Sequence, residues 1–136
     1  MLDRSIADEV EAAIKAGSAE KHLETFKRVT DLFLLSADGC NGEQIELFGD
    51  VLERLIRTIE IRALTDVSAR IALAEMSTQL ASVPKAPPDV IRHLARHDEI
   101  SVAGPVLTES ARLSDEDLVE LAGSKGEQHL LAISGR

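Results

Sequence analysis

The clearest pattern in this 136-residue chain runs from Ile45 to Ile59. Ile45, Phe48, Leu52, Leu55 and Ile59 alternate spacings of three and four, with Val51 and Ile56 widening the stripe. That period predicts an amphipathic helix whose narrow seam packs on another helix, from the same chain or from a second copy. Glu53 precedes Arg57 by four residues, the favoured order for a helical ion pair. Ahead of it, Ile6, Val10, Ala13 and Ile14 predict a short helix over 3–16, closed by Gly17. Ser18 is placed to cap a second helix carrying Leu23, Phe26, Val29 and Phe33, which runs to about Ala37. The "DGCNG" stretch, Asp38 to Gly42, reads as a loop, because Gly and Asn tolerate left-handed backbone. A corner is expected between Arg62 and Asp66. Thr65 is then the expected cap of a fourth helix, with Val67, Ile71, Ala74 and Leu80 on its buried face.

"SVPKAPPD" must stop that helix, since three prolines within five residues do not fit a helix interior. It divides the chain into a long-helix region, 1–83, and a short-helix region, 84–136. "PPDVIRHLARH" opens the second region with proline at the first helical turn, where a missing N–H costs nothing. Asp98 is the expected cap of "EISVAGPVLTES". There Gly104-Pro105 lies inside the helical period and predicts either a bend or a restart at Pro105. Gly104 is read as the point where the backbone comes closest to a neighbour. Ser114 caps "LSDEDLVELAG", with acidic residues in the first turn where the helix dipole favours them. "GEQHLLAISGR" forms the last helix.

The four short helices read as two copies of one unit. Ile91, Leu94 and Ala95 match Leu118, Leu121 and Ala122 at an offset of 27 residues, and Val102-Ala103 matches Leu131-Ala132 at 29. A helix pair repeating at this interval predicts a short HEAT-like α-solenoid. The fold class is therefore all-α: longer N-terminal helices, then short HEAT-like pairs, about eight helices in total. The expected core is Phe26, Phe33, Phe48, Leu52, Leu55, Ile59, Ile71, Leu94, Ala103, Leu107, Leu118 and Leu121. "HLLAISGR" leaves Leu130, Leu131 and Ile133 little to pack on. The chain is thus expected to be the front part of a longer repeat protein, or to self-associate there.

Five segments together resemble a known family: "VTDLFLLSA", "EQIELFGDVLERLIRTIEI", "APPDVIRHLARHDEISVAGPVLTES", "LSDEDLVELA" and "HLLAISGR". They are similar to a bacterial, mostly alphaproteobacterial family of unknown function. The similarity spans roughly residues 25 to 136 and is most specific in the "LA…D-x-I-x-VA-x-PVL" core. The resemblance implies an all-helical protein with HEAT-like repeats after an N-terminal helical region, and further repeats in its relatives. It implies no reaction or ligand. Where relatives often carry a small or acidic residue before Asp98, this chain has His97, which argues against a shared role for that histidine.

Composition narrows function mainly by exclusion. Apolar residues make up 44% and charged residues 29%, a globular balance. Three Phe, no Trp and no Tyr leave no stacking platform for nucleic acid. A formal net charge of −9 repels phosphate backbones and anionic lipids, so neither nucleic acid nor a membrane is an expected partner. One cysteine, Cys40, precludes an internal disulfide and suits a reducing compartment. The N-terminus, with an acid at Asp3 and no apolar run, does not read as a secretory signal, so the expected location is cytoplasmic.

Candidate chemistry is sparse. His93 and His97 stand four apart, the spacing of paired metal ligands on a helix, but Leu94, Ala95 and Arg96 lie between them in place of a catalytic Glu. A solvated helix face is the expectation. Cys40 is expected to be exposed but lacks a nearby base to activate it. Asp115, Glu116 and Asp117 are explained by capping. Arg54, Arg57, Arg62 and Arg70 form a basic cluster that would suit a small anion, a nucleotide or an acidic partner, although Glu53, Glu60 and Asp66 are interleaved. The expectation is a non-enzymatic protein-interaction module that needs no cofactor or metal. Its partner would contact the exposed groove of 84–136, and the Ile45–Ile59 seam would serve a second copy. A small-anion or nucleotide sensor using the four arginines is the alternative.

Overall fold

A computed structural model describes residues 4–136. Eight α-helices and no strand occur among the described residues, so the protein is all-α. It divides into two compact units, residues 1–73 and 74–136, and the division falls inside the fourth helix. The proline-rich stretch ends that helix at Ala81 but lies downstream of the division.

The first unit holds α1 (Arg4–Ala16), α2 (Ala19–Ser36), α3 (Gly42–Ala63) and the first part of α4 (Val67–Ala81). Helices α1, α2 and α3 all pack on one another. The Ile45–Ile59 stripe accounts for much of the core: Phe48, Leu52, Leu55 and Ile59 are at most 1% exposed. Those residues are covered by the chain itself, so the seam offered to a second copy is already occupied. Phe33 of α2 meets Phe48 of α3 edge to face, ring centroids 5.0 Å apart at 70°, the arrangement favoured by opposed ring quadrupoles. Ser18 caps α2 by accepting from the Lys21 N–H at 3.3 Å.

The segment read as a loop is shorter and tighter than expected. Ala37–Gly39 form a 3-10 turn, and Asn41 closes a reciprocal capping box with Gln44, both bonds 2.9 Å. No described residue has positive φ, so left-handed backbone is not used. Cys40, expected exposed, is 5% exposed and belongs to the core. The turn and the cap hold the chain close between α2 and α3, which leaves this small apolar side chain facing inward.

Helix α4 corrects the expected face. Val67 and Ile71 are 57% and 53% exposed, whereas Leu80 is buried as expected, together with Ala69, Leu73 and Met76. Two apolar stripes compete on this helix, and the inward one is built partly from small residues. Asp66 rather than Thr65 caps it, its Oδ1 accepting from the Ser68 N–H at 2.9 Å.

The second unit continues with α5 (Pro88–Ala95), α6 (Ile100–Glu109), α7 (Asp115–Ser124) and α8 (Glu127–Ser134). Helix α5 packs on α6, α7 on α8, and α6 on α8. Leu94, Ala103, Leu107 and Leu121 are buried as expected. Leu118 is only half-buried, since Leu121 takes the inward position of α7 and leaves Leu118 at its edge. Helix α6 runs unbroken through Gly104 and Pro105, which decides against a restart. A Cβ on Gly104 would meet only the Ile100 side chain, at 3.8 Å, so no close backbone approach requires this glycine. Asp98 does not cap α6: Glu99 occupies that position without a side-chain bond, and Asp98 is engaged elsewhere.

Candidate functional site

The two short helix pairs begin 27 residues apart in both members, Pro88 to Asp115 and Ile100 to Glu127. This replaces the 29-residue match of the second helices and sets His129, not Leu131, opposite Val102. Both are buried, His129 at 5% and Val102 at 0%. Polar contacts join the pairs. The Arg96 guanidinium lies 3.1 Å from Glu120, and Arg92 reaches Asp117 at 3.5 Å while also pairing with Asp89. Lys125 holds Asp98 at 2.7 Å, and Thr108 donates to the Ala132 carbonyl at 3.4 Å. Arg136 donates to the carbonyls of Leu107 and Ser110 at 2.6 and 2.7 Å.

Two carboxyls in this set titrate below their ordinary range. Asp98 is lowered by the Lys125 hydrogen bond and charge, with smaller help from His97 and His129. Asp117 is lowered first by the Ser114 backbone N–H, then by the Ser114 hydroxyl and Arg92. The acidic run at 115–117 is thus a helix start: Ser114 and Asp117 form a reciprocal capping box at 3.0 and 3.1 Å.

The outer surface of α7 and α8 pairs apolar with acidic side chains. Val119 and Leu131 are 73% and 65% exposed, and Leu130 is also exposed. Glu116 lies one turn before Val119, and Glu127 lies one turn before Leu130 and Leu131, all exposed. Exposed aliphatics here stand beside carboxylates that are not all free, since Glu120 already faces Arg96.

The other candidates are distributed differently. Arg54 lies 3.9 Å from Glu11, and Arg57 lies 3.7 Å from Glu53. Arg62 sits in the last turn of α3, where a cation complements the helix dipole, and Arg70 is exposed on α4. The four arginines therefore occupy two helices, and two of them already face carboxylates. His93 is on α5, but His97 lies beyond its end at Ala95, so the i, i+4 helical geometry of a ligand pair is not formed. Among the described residues no group of three or more His, Cys, Asp or Glu stands close enough to hold a metal ion. No described helix is long and apolar enough to cross a membrane.

One feature escaped the sequence. A cleft of about 670 Å³ opens between α1 and α2, with Ala13, Gly17 and Thr25 on its wall and Glu9, Lys21, Glu24 and Arg28 around it. Its charges balance, and Arg28 pairs with Glu9. Residues this far apart in the chain give no shared signal until the two helices pack.

These observations define an all-α protein whose C-terminal unit is built from two like helix pairs. Residues 102–136, which run from inside α6 through α8, match a family described as an uncharacterised protein conserved in bacteria (DUF2336). The match begins well inside the span of about 25 to 136 over which the sequence segments resemble a bacterial family. No curated protein and no solved structure gives a significant match.

Proposed function

We propose that this chain is a non-enzymatic, HEAT-like repeat module, acting in the cytoplasm, that docks a protein partner on the outer surface of α7 and α8. The supporting observation is the common 27-residue offset of both members of the helix pairs, with α6 against α8 and α5 tied to α7 by Arg96–Glu120. Like pairs stacked in register present extended surfaces, which is how α-solenoids hold other proteins. The exposed Val119, Leu130 and Leu131 supply apolar anchors, and Glu116 and Glu127 select a basic partner.

The test is affinity capture with the full chain beside a Glu116→Lys/Glu127→Lys variant of equal helicity. Partners held by the unaltered chain and lost from the variant are expected. Identical capture by both would move docking off this surface. A thermal-shift screen with phosphorylated metabolites tests the rival. Stabilisation that disappears in Arg57→Ala or Arg70→Ala would favour an anion sensor built on Arg54, Arg57, Arg62 and Arg70.

A further inference from the structure

We propose that two copies of this chain associate through the outer face of α4, with the two helices parallel. Helix α4 is one uninterrupted helix, and it carries two apolar stripes. The inward stripe is buried. The outward one consists of Val67, Ile71, Ala74 and Thr78, of which Val67 and Ile71 are more than half exposed. These four residues follow the spacing four, three, four of a two-stranded seam. Val67 and Ala74 take the d positions, and Ile71 and Thr78 take the a positions. Ile71, the largest residue of the seam, is β-branched and sits at a, the position where Ile suits a parallel two-stranded pair.

Charge decides the orientation. Arg70 falls at the g position before Ile71, and Glu75 falls at the following e position; both are exposed. In a parallel pair, g of one helix meets the e residue five places on in the other, so Arg70 faces Glu75 of the second copy, twice over. An antiparallel pair would set g beside g and e beside e, leaving Arg70 of one copy and Glu75 of the other on opposite flanks, so this cross pair would be lost. A second copy therefore satisfies both the apolar stripe and its flanking charges. The surface is separate from the α7–α8 face, so either can fail without the other.

A seam of under two heptads buries less than the ~1,200 Å² of a standard interface, so association should be weak and seen from about 10 µM to 1 mM. Sedimentation equilibrium of the full chain tests it. The unaltered chain should shift from monomer to dimer across that range. Ile71→Asp should remain monomeric with an unchanged helical spectrum. Arg70→Glu and Glu75→Arg should each weaken the dimer several-fold, and the combined swap should restore it. Val67→Cys should form a disulfide-linked dimer on oxidation, since each Val67 meets its own counterpart only when the helices are parallel. Cys40 is buried and does not compete. A monomer at every concentration, a dimer indifferent to Ile71→Asp, a swap no better than its single changes, or a dimer that Val67→Cys does not cross-link would each overturn the proposal.

Discussion

The Nε2 of His129 donates to the carbonyl oxygen of His97 across 2.8 Å, tying α8 to the segment that follows α5. The ring is 5% exposed and occupies the place that Val102 holds one repeat earlier. His129→Ala removes both a buried hydrogen bond and packing volume, and should cost about 2 kcal/mol of stability in urea unfolding. His129→Val keeps the apolar volume found at the matching position and should cost less. Equal losses would mean that the hydrogen bond carries the whole effect.

The two glycines Gly17 and Gly104 should respond unequally to alanine. A Cβ on Gly17 would stand 2.3 Å from the Ala13 carbonyl oxygen and 3.1 Å from the His22 ring. Gly17→Ala must therefore shift the α1–α2 corner and should lower the melting temperature. Gly104 lies in the interior of α6, and beyond its chain neighbours a Cβ there would meet only the Ile100 side chain. The helical preference of Ala over Gly would contribute about 0.5–1 kcal/mol, but Pro105 follows directly and its Cδ crowds a Cβ on a helical residue before it, so Gly104→Ala should change stability by less than that amount. Thermal melts of the two variants decide both expectations.

Acid should weaken the second unit through Asp98 and Asp117. Both have folded pKa values below those of the unfolded chain. Their contribution is complete above the ordinary carboxyl range, and it is lost as pH falls below about 4 and through the lowered folded values. A carboxyl NMR titration should find both below ordinary aspartates. Lys125→Met should bring Asp98 back toward the ordinary range and leave Asp117 unmoved, because the Ser114 cap, not Lys125, holds Asp117 down.

What the sequence disclosed depended on how many residues shared a signal. The α3 stripe was legible because five large apolar residues repeat one period and all but Ile45 are buried. Ser18 and Ser114 were legible as caps, and the prolines as the end of α4, since local backbone chemistry fixes each. Ile71 was misplaced because α4 is apolar on two faces, and periodicity cannot say which faces inward. Asp98 was misread as a cap because its partner, Lys125, lies 27 residues away. Separations of 24 and 32 residues likewise hid the Arg96–Glu120 and His129–His97 contacts. Each depends on stacking of helix pairs, which leaves no trace in local pattern. Cys40 was misjudged from composition, where a Gly- and Asn-rich stretch looks open until a 3-10 turn and a capping box fold it shut.

The guanidinium of Arg136 has a consequence for the order in which α6 is completed. The carbonyls of Leu107 and Ser110, at and just past its last turn, find their donors on a residue 26 to 29 positions later. An isolated α5–α6 pair would leave these acceptors to water and its final turn frayed. Only when α8 has docked does that end close, so the last turn of α6 and the tail of α8 should open to solvent exchange as one cooperative segment.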